Sequence, residues 1–226
     1  MAEWLRPIIP DVVERSDQLW EALVETLQMV GIAGGISVLL GIPFGVLLFT
    51  TKRGGILQNR PVHFLLSKFC DVFRSIPYIL LAMLLLGLSR LVVGTAIGVK
   101  GAIIPLLFGT IPYLGRLTEN ALAEVPAGMV EAAQAIGSSP LEIIWRVYLK
   151  EAIPGIARGV TITLVSLVNF TTLAGVLGAG GLGNFAVMYG HSRNMPDIIV
   201  VSILIILALV SLIQAVGTLI ARRATH

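Results

Sequence analysis

The stretch Pro126–Pro154, PAGMVEAAQAIGSSPLEIIWRVYLKEAIP, is the most polar long segment in a chain otherwise built of apolar runs. Its local signals describe two short helices. Pro126 suits a first helical position, where a missing N–H costs nothing, and the Ala-rich run Glu131 to Ile136 favours helix. Gly137 stops that helix, because it adopts the left-handed conformation that residues with a Cβ resist. Ser139-Pro140-Leu141-Glu142 starts the next, with Ser139 as N-cap, Pro140 in the first turn and Glu142 closing a capping box. In that second helix Leu141, Ile144, Trp145, Tyr148 and Leu149 fall on one face, and Glu142 and Arg146 are spaced to pair on the other. Spacing alone leaves two readings open: a solvated helix–turn–helix between two membrane spans, or a surface built for a partner.

Composition sets the surroundings of this stretch. Of 226 residues, 56% are hydrophobic and 13% charged, with a mean hydropathy of +0.90. An ordinary soluble domain carries about a quarter charged residues. The chain is therefore expected to be an all-α polytopic membrane protein, with the lipid bilayer as its first partner. The single Cys70 excludes an internal disulfide and any multi-cysteine metal motif. The net charge of +3 comes without a basic stripe, so nothing points to nucleic acid.

Outward from the polar stretch, the apolar runs divide into five expected spans. Residues 1–26 mix Glu3, Asp11, Glu14, Asp17, Glu21 and Glu25 with Arg6 and Arg15, unlike a signal peptide. Val12, Val13, Leu19, Trp20, Leu23, Val24 and Leu27 recur at helical spacing, so 1–26 reads as an amphipathic surface helix running into the first span. Residues 27–226 then form a five-span domain whose cytoplasmic loop is 126–154. Span one covers Leu27 to Phe49. Span two begins near Phe69 and runs to Leu88, taking with it Asp71 and Arg74, three apart and able to pair. Span three, Ala102 to Leu122, is expected to be interrupted by Pro105, Gly109 and Pro112 and to line the interior. Span four, Ile156 to Leu177, ends in the glycine run Gly175 to Gly183, and span five is Ile198 to Ile220.

Basic residues orient the set. Lys52, Arg53 and Arg60, then Arg146, Lys150 and Arg158, then Arg222 and Arg223 flank alternate connections and the C-terminus. Five spans with the N-terminus outside and the C-terminus cytoplasmic satisfy them, and they put 126–154 in the cytoplasm.

No phosphate loop of the form G-x-x-x-x-G-K-[ST] occurs, and His63, His191 and His226 are scattered, so no metal cluster is expected. No Ser/His/Asp set is suggested. The chain reads as a non-enzyme, and any ATP-driven work requires a partner.

Several stretches carry a family resemblance. Glu131-Ala132-Ala133, three residues, Gly137 and the following amphipathic run resemble the EAA loop of ABC importer permeases. Arg74-Ser75-Ile76-Pro77-Tyr78 is similar to the element opening the second span in permeases of the methionine importer subfamily. Ile111-Pro112-Tyr113 with Arg116, Glu119-Asn120-Ala121-Leu122, Glu124, Pro126 and Gly128 resembles that subfamily's third span and its exit. Gly178-Ala179-Gly180-Gly181-Leu182-Gly183 resembles its glycine run. The likeness extends from about Phe69 to the C-terminus, and five spans is also that subfamily's size. One position departs: the family's second loop helix usually ends in Leu-Pro, whereas here Leu149-Lys150 precedes Pro154, so this helix can run a turn longer.

The resemblance implies a multi-pass protein of the bacterial inner membrane, working as a homodimer. Two cytoplasmic ABC ATPase subunits would bind ATP and Mg, with no cofactor in this chain, and an external substrate-binding protein would deliver methionine for import by alternating access. It places the ATPase-coupling contact on Glu131, Ala132, Ala133, Gly137, Ser138 and Leu141. Ser75, Tyr78, Tyr113, Asn169, Thr171 and Thr172 are polar groups in apolar surroundings, and each is either a contact along the substrate path or glue between helices. Two other functions stay open: a permease for another small amino acid or solute, and a stand-alone secondary transporter. The latter fits less well, since five spans do not halve into repeats and the charges gather at span ends.

Overall fold

The computed structural model describes residues 7–224, and every regular element among them is helical. In order these are α1 (Pro10–Glu14), α2 (Ser16–Thr51), α3 (Arg60–Ser75), α4 (Tyr78–Val93), α5 (Gly98–Ala123), α6 (Ala127–Ala135), α7 (Pro140–Ile143), α8 (Leu149–Glu151), α9 (Ile153–Ala174), α10 (Gly181–Phe185) and α11 (Pro196–Ala224). Wider π-helical turns fill Ile144–Tyr148, Gly175–Ala179 and Ala186–His191. Four helical runs are long and apolar enough to cross a membrane: Ser16–Thr51, Gly98–Ala123, Ile153–Ala179 and Pro196–Ala224. The broken pair α3 and α4 makes a fifth if it counts as one span. The fold is thus all-α and polytopic, with four to five long apolar helices.

Two sequence expectations are corrected here. The helix expected from near Phe69 to Leu88 breaks at Ile76-Pro77, where Pro77 is extended (φ −54°, ψ 132°). Proline has no N–H to continue a helix and pushes the residue before it out of helical conformation. Asp71, expected to pair with Arg74, instead meets Arg116 at 2.8 Å. Conversely, α5 runs without interruption through Pro105, Gly109 and Pro112. A proline in a membrane helix is tolerated where protein surrounds the backbone it frees. Beside it, the buried Cys70 thiol donates to the Pro112 carbonyl at 3.4 Å and joins α3 to α5. Segment 1–26 overlaps the described residues from residue 7 on, and α2 passes without a break from Ser16 through Leu27.

The chain forms two compact units. The first comprises the residues up to Gly35, Ile76–Phe108 and Leu164–Ile213. Met29, Ala33, Tyr78, Ala82, Leu106 and Leu167 make one of its cores, and Val12, Leu19, Leu182, Phe185 and Ile198 another. Asp197, in the first turn of α11, accepts the N–H groups of Asp11 (3.0 Å) and Val12 (3.3 Å), which ties α1 down.

The second unit comprises Ile36–Ser75, Gly109–Thr163 and the segment from Gln214 on. Its helices approach through small residues, as membrane helices do when close backbone contact replaces hydrophobic drive. A Cβ on Gly45 would lie 2.5 Å from the Gly115 carbonyl and from Thr118 Cβ, and one on Gly115 would lie 2.6 Å from the Phe44 ring. At the same crossing of α2 and α5, the Ser37 and Thr110 hydroxyls share a buried hydrogen bond of 2.5 Å. Gly155 against Ala121 and Gly159 against Leu117 seat α9 on α5 in the same manner.

Candidate functional site

The polar helix pair forms as its sequence dictates. α6 ends at Ala135 with Ile136 as its C-cap, and Gly137 takes φ +82°. Ser138 N–H returns to the Ala133 carbonyl (3.0 Å) and Gly137 N–H to Gln134 (3.0 Å), the two bonds of a Schellman stop. The capping box is complete. Ser139 N–H donates to Glu142 Oε2 at 2.9 Å, and Glu142 N–H donates to Ser139 Oγ at 3.4 Å. The Ser139 N–H first, and second its hydroxyl, which donates to Glu142 Oε2 at 2.8 Å, hold the Glu142 carboxyl below its ordinary value. Glu142 is thereby held by Ser139, where a pair with Arg146 had been expected.

The expected apolar face is rearranged. Ile143 and Ile144 are buried, Tyr148 and Leu149 are half-buried, and Leu141 and Trp145 stay 63% and 69% exposed. Leu141 and Ile143 already depart from the expected face within α7, and a π-turn follows at Ile144–Tyr148. It inserts extra backbone into the turn, so side chains after it no longer follow the 3.6-residue period. Ile136 is 84% exposed just before the Gly137 stop. The pair therefore shows solvent an apolar set, Ile136, Leu141 and Trp145, on an otherwise polar segment.

Of the six coupling residues expected from the sequence, Glu131, Ala132, Gly137 and Leu141 are exposed and Ser138 is half-buried. Ala133 is buried, packed with Val130 and Ile143 and against Ile56, Val147 and Tyr148. It holds the two short helices together from beneath.

Tyr148, which spacing alone did not single out for function, joins this small core to the spans. Its ring meets Phe49, near the end of α2, edge-on at 4.9 Å. It packs on two clusters at once, that of Val130, Ala133 and Ile143 and that of Phe49, Ala121, Leu122, Ala152 and Ile156. Through Tyr148, α6 and α7 are thus packed against side chains of α2, α5 and α9.

The polar residues expected along a substrate path are scattered. Ser75 Oγ donates to the Asp71 carbonyl (2.6 Å), and Thr171 and Thr172 donate to Val168 (2.7 and 3.2 Å), so all three turn back on their own helices. Asn169 is exposed. Tyr113 lies under the Arg74 guanidinium, 5.9 Å from the ring centre. Tyr78 stands apart. It is buried, stacks on Phe170 at 4.5 Å, and its hydroxyl has no hydrogen-bond partner among the described residues.

Two constellations escaped the sequence reading. Arg116 donates to Asp71 (2.8 Å), to Glu119 (2.7 Å) and to the Ser67 hydroxyl (2.5 Å), joining α3 to α5. At the glycine run, Gly178, Gly180 and Gly181 all have positive φ, and the chain reverses between α9 and α10. Glu25 accepts Gly181 N–H at 2.6 Å, and Thr26 Oγ1 accepts Leu182 N–H at 2.9 Å. The available signal was a carboxylate set immediately before a charge-free apolar run.

Comparison with known proteins agrees with this architecture. The profile of a family described as "Binding-protein-dependent transport system inner membrane component" matches residues 37–226. The probable D-methionine transport system permease protein MetI of Vibrio cholerae serotype O1 is 46% identical, over 93% of this chain and 94% of that one. The methionine import system permease protein MetP of Bacillus subtilis is 39% identical, over 90% and 91%. Among solved structures, one of the inward-facing MetNI methionine ABC transporter superposes with a TM-score of 0.90 at 36% identity, covering both chains completely. With a profile matched over most of its length and relatives this similar across nearly all of theirs, the chain belongs to the family of binding-protein-dependent transport system inner membrane components.

Proposed function

We propose that this chain is the membrane-spanning permease of an ATP-driven methionine importer, working by alternating access as a homodimer in the bacterial inner membrane. Two cytoplasmic ATPase subunits bind ATP and Mg, and an external binding protein delivers the substrate. The observation that carries the reading is a capped, polar helix pair with Ile136 and Leu141 exposed on it, in a chain similar from end to end to methionine permeases.

In this reading α2, the α3–α4 pair, α5, α9 and α11 are five spans, with the N-terminus outside and the C-terminus cytoplasmic. Residues 1–26 are an external segment at the membrane surface, 27–226 form the permease domain, and 126–154 are its coupling loop. Glu131, Ala132, Gly137, Ser138 and Leu141 meet the ATPase, and Ala133 shapes that surface from within. Tyr78 belongs to the substrate path, on the ground that a buried hydroxyl without a partner is costly unless something completes it. Ser75, Tyr113, Asn169, Thr171 and Thr172 are placed along the same path.

The test is co-purification followed by uptake. The chain is expressed with candidate ATPases, and labelled methionine is compared with a panel of other amino acids in proteoliposomes. Expected are a co-eluting ATPase and ATP-dependent uptake of methionine above the panel. Uptake of another solute in preference would make this a permease for that solute, and uptake without any ATPase would make it a secondary transporter.

A further inference from the structure

Beside the helix pair, the second unit contains an open groove of about 700 Å³ that the coupling function leaves unused. Its walls are Ile42 of α2, Leu149 of α8, and Ile153, Ile156 and Ala157 of α9, and its rim is Trp145, Arg146 and Lys150. Ile42 lies roughly 13 Å along α2 from the helix end at Thr51, at about 1.5 Å of rise per residue. The apolar wall thus reaches well into the span while the cations stay at its end. Arg146 and Lys150 are exposed, and neither makes an ion pair with a carboxylate among the described residues. Glu142, one turn before Arg146, is hydrogen-bonded by Ser139 and feels the Arg146 charge only through space.

We infer that this groove is a binding site for one anionic phospholipid of the leaflet facing the helix pair. An acyl chain lies along Ile42, Ile153 and Ile156, the phosphate sits between Arg146 and Lys150, and the Trp145 indole lies at headgroup level. The argument is complementarity at both ends. Basic pockets between spans on the cytoplasmic side select anionic headgroups, and tryptophan favours the membrane interface. A soluble partner would bury the two cations without needing a wall that deep in the span. The cytoplasmic location rests on the topology proposed above; the groove and its charges do not.

The test uses the full chain carrying Trp4→Phe and Trp20→Phe, so that Trp145 is the only indole. It is reconstituted in vesicles containing brominated-acyl phosphatidylglycerol or brominated-acyl phosphatidylcholine at equal mole fraction. Expected is stronger quenching of Trp145 by phosphatidylglycerol, weakened by salt. The preference should fall on the order of fivefold for each of Arg146→Gln and Lys150→Gln. Equal quenching by the two lipids, or a preference that survives the double variant, overturns the proposal. Absence of quenching by either lipid also overturns it, since protein then covers the groove. Both leaflets carry the brominated lipid, so the result does not depend on orientation. Labelling Ser138→Cys from outside with an impermeant maleimide reads the topology separately.

Discussion

The Glu25 carboxylate accepts the backbone N–H of Gly181 across 156 residues of sequence, and beside it Thr26 accepts that of Leu182. Thr26 is buried, and its hydroxyl also donates its one proton to the Ala22 carbonyl. The glycine turn between α9 and α10 is therefore an ordered element, fixed by side chains of α2. Thr26→Val keeps the volume and leaves the Leu182 N–H unpaired and buried. A loss of about 1–3 kcal/mol is expected, read as a lower midpoint of thermal unfolding in detergent, with Thr26→Ser close to wild type.

Small residues at the crossing of α2 and α5 make a contrasting pair. Gly45→Ala places a methyl group 2.5 Å from the Gly115 backbone oxygen, whereas a Cβ at Gly31 meets nothing within 4 Å. Overpacking against backbone typically costs about 1–3 kcal/mol, and an open helical glycine gains slightly from alanine. Gly45→Ala should lower the unfolding midpoint and Gly31→Ala should leave it unchanged or raised, both measured in the same detergent.

Arg116 holds Asp71 and Glu119, and the Arg116 and Glu119 side chains are 19% and 14% exposed. Removing the guanidinium leaves Glu119 as an unpaired, largely buried carboxylate. Arg116→Ala is expected to destabilise by about 2–3 kcal/mol, toward the lower end of the range for a fully buried pair. Arg116→Lys should restore only part of this, because an ammonium cannot serve two carboxylates and a hydroxyl with a fixed fork. Asp71, 52% exposed, should tolerate Asn with a much smaller shift. Unfolding midpoints of the three variants provide the check.

Glu142 gives the helix pair a pH dependence of known sign. Its carboxyl is held below its ordinary value by the Ser139 N–H and hydroxyl. A depressed folded-state value means that the stabilisation is fully present above the ordinary glutamate value and fades as pH falls through the depressed one. Hydrogen exchange at the Ser139 amide should therefore speed up, relative to its intrinsic rate, on acidification below that range. In Glu142→Gln the same amide should show no such acid-dependent change.

In the coupling surface proposed above, contact and support can be tested separately. Leu141→Arg alters an exposed side chain and should leave insertion and folding intact while reducing ATP-driven uptake about tenfold or more. Ala133→Arg forces a charge among Val130, Ile143 and Val147 and should expose the helix pair to protease even without an ATPase. Uptake assays alongside limited proteolysis of each variant distinguish the two. Full uptake by Leu141→Arg would remove this residue from the contact surface.

The sequence by itself determined whatever depends on neighbours within a turn or two. The helix class, the Gly137 stop, the Ser139–Glu142 capping box and the four uncontested apolar helices follow from local backbone bonding and hydropathy, which act over a few residues. Other features required the folded chain. Asp71 is three residues from Arg74 but pairs with Arg116, because an ion pair is chosen by distance in space and α3 lies against α5. Pro77 breaks its span, while Pro105 and Pro112 do not break theirs. No local pattern records which of these prolines a helix continues through. At the junction of α7 with the π-turn Ile144–Tyr148, Ile143 and Ile144 face inward and Trp145 stays outside. That choice belongs to the core around Tyr148 and Phe49, so the exposed surface of the helix pair was decided only when its buried side was packed.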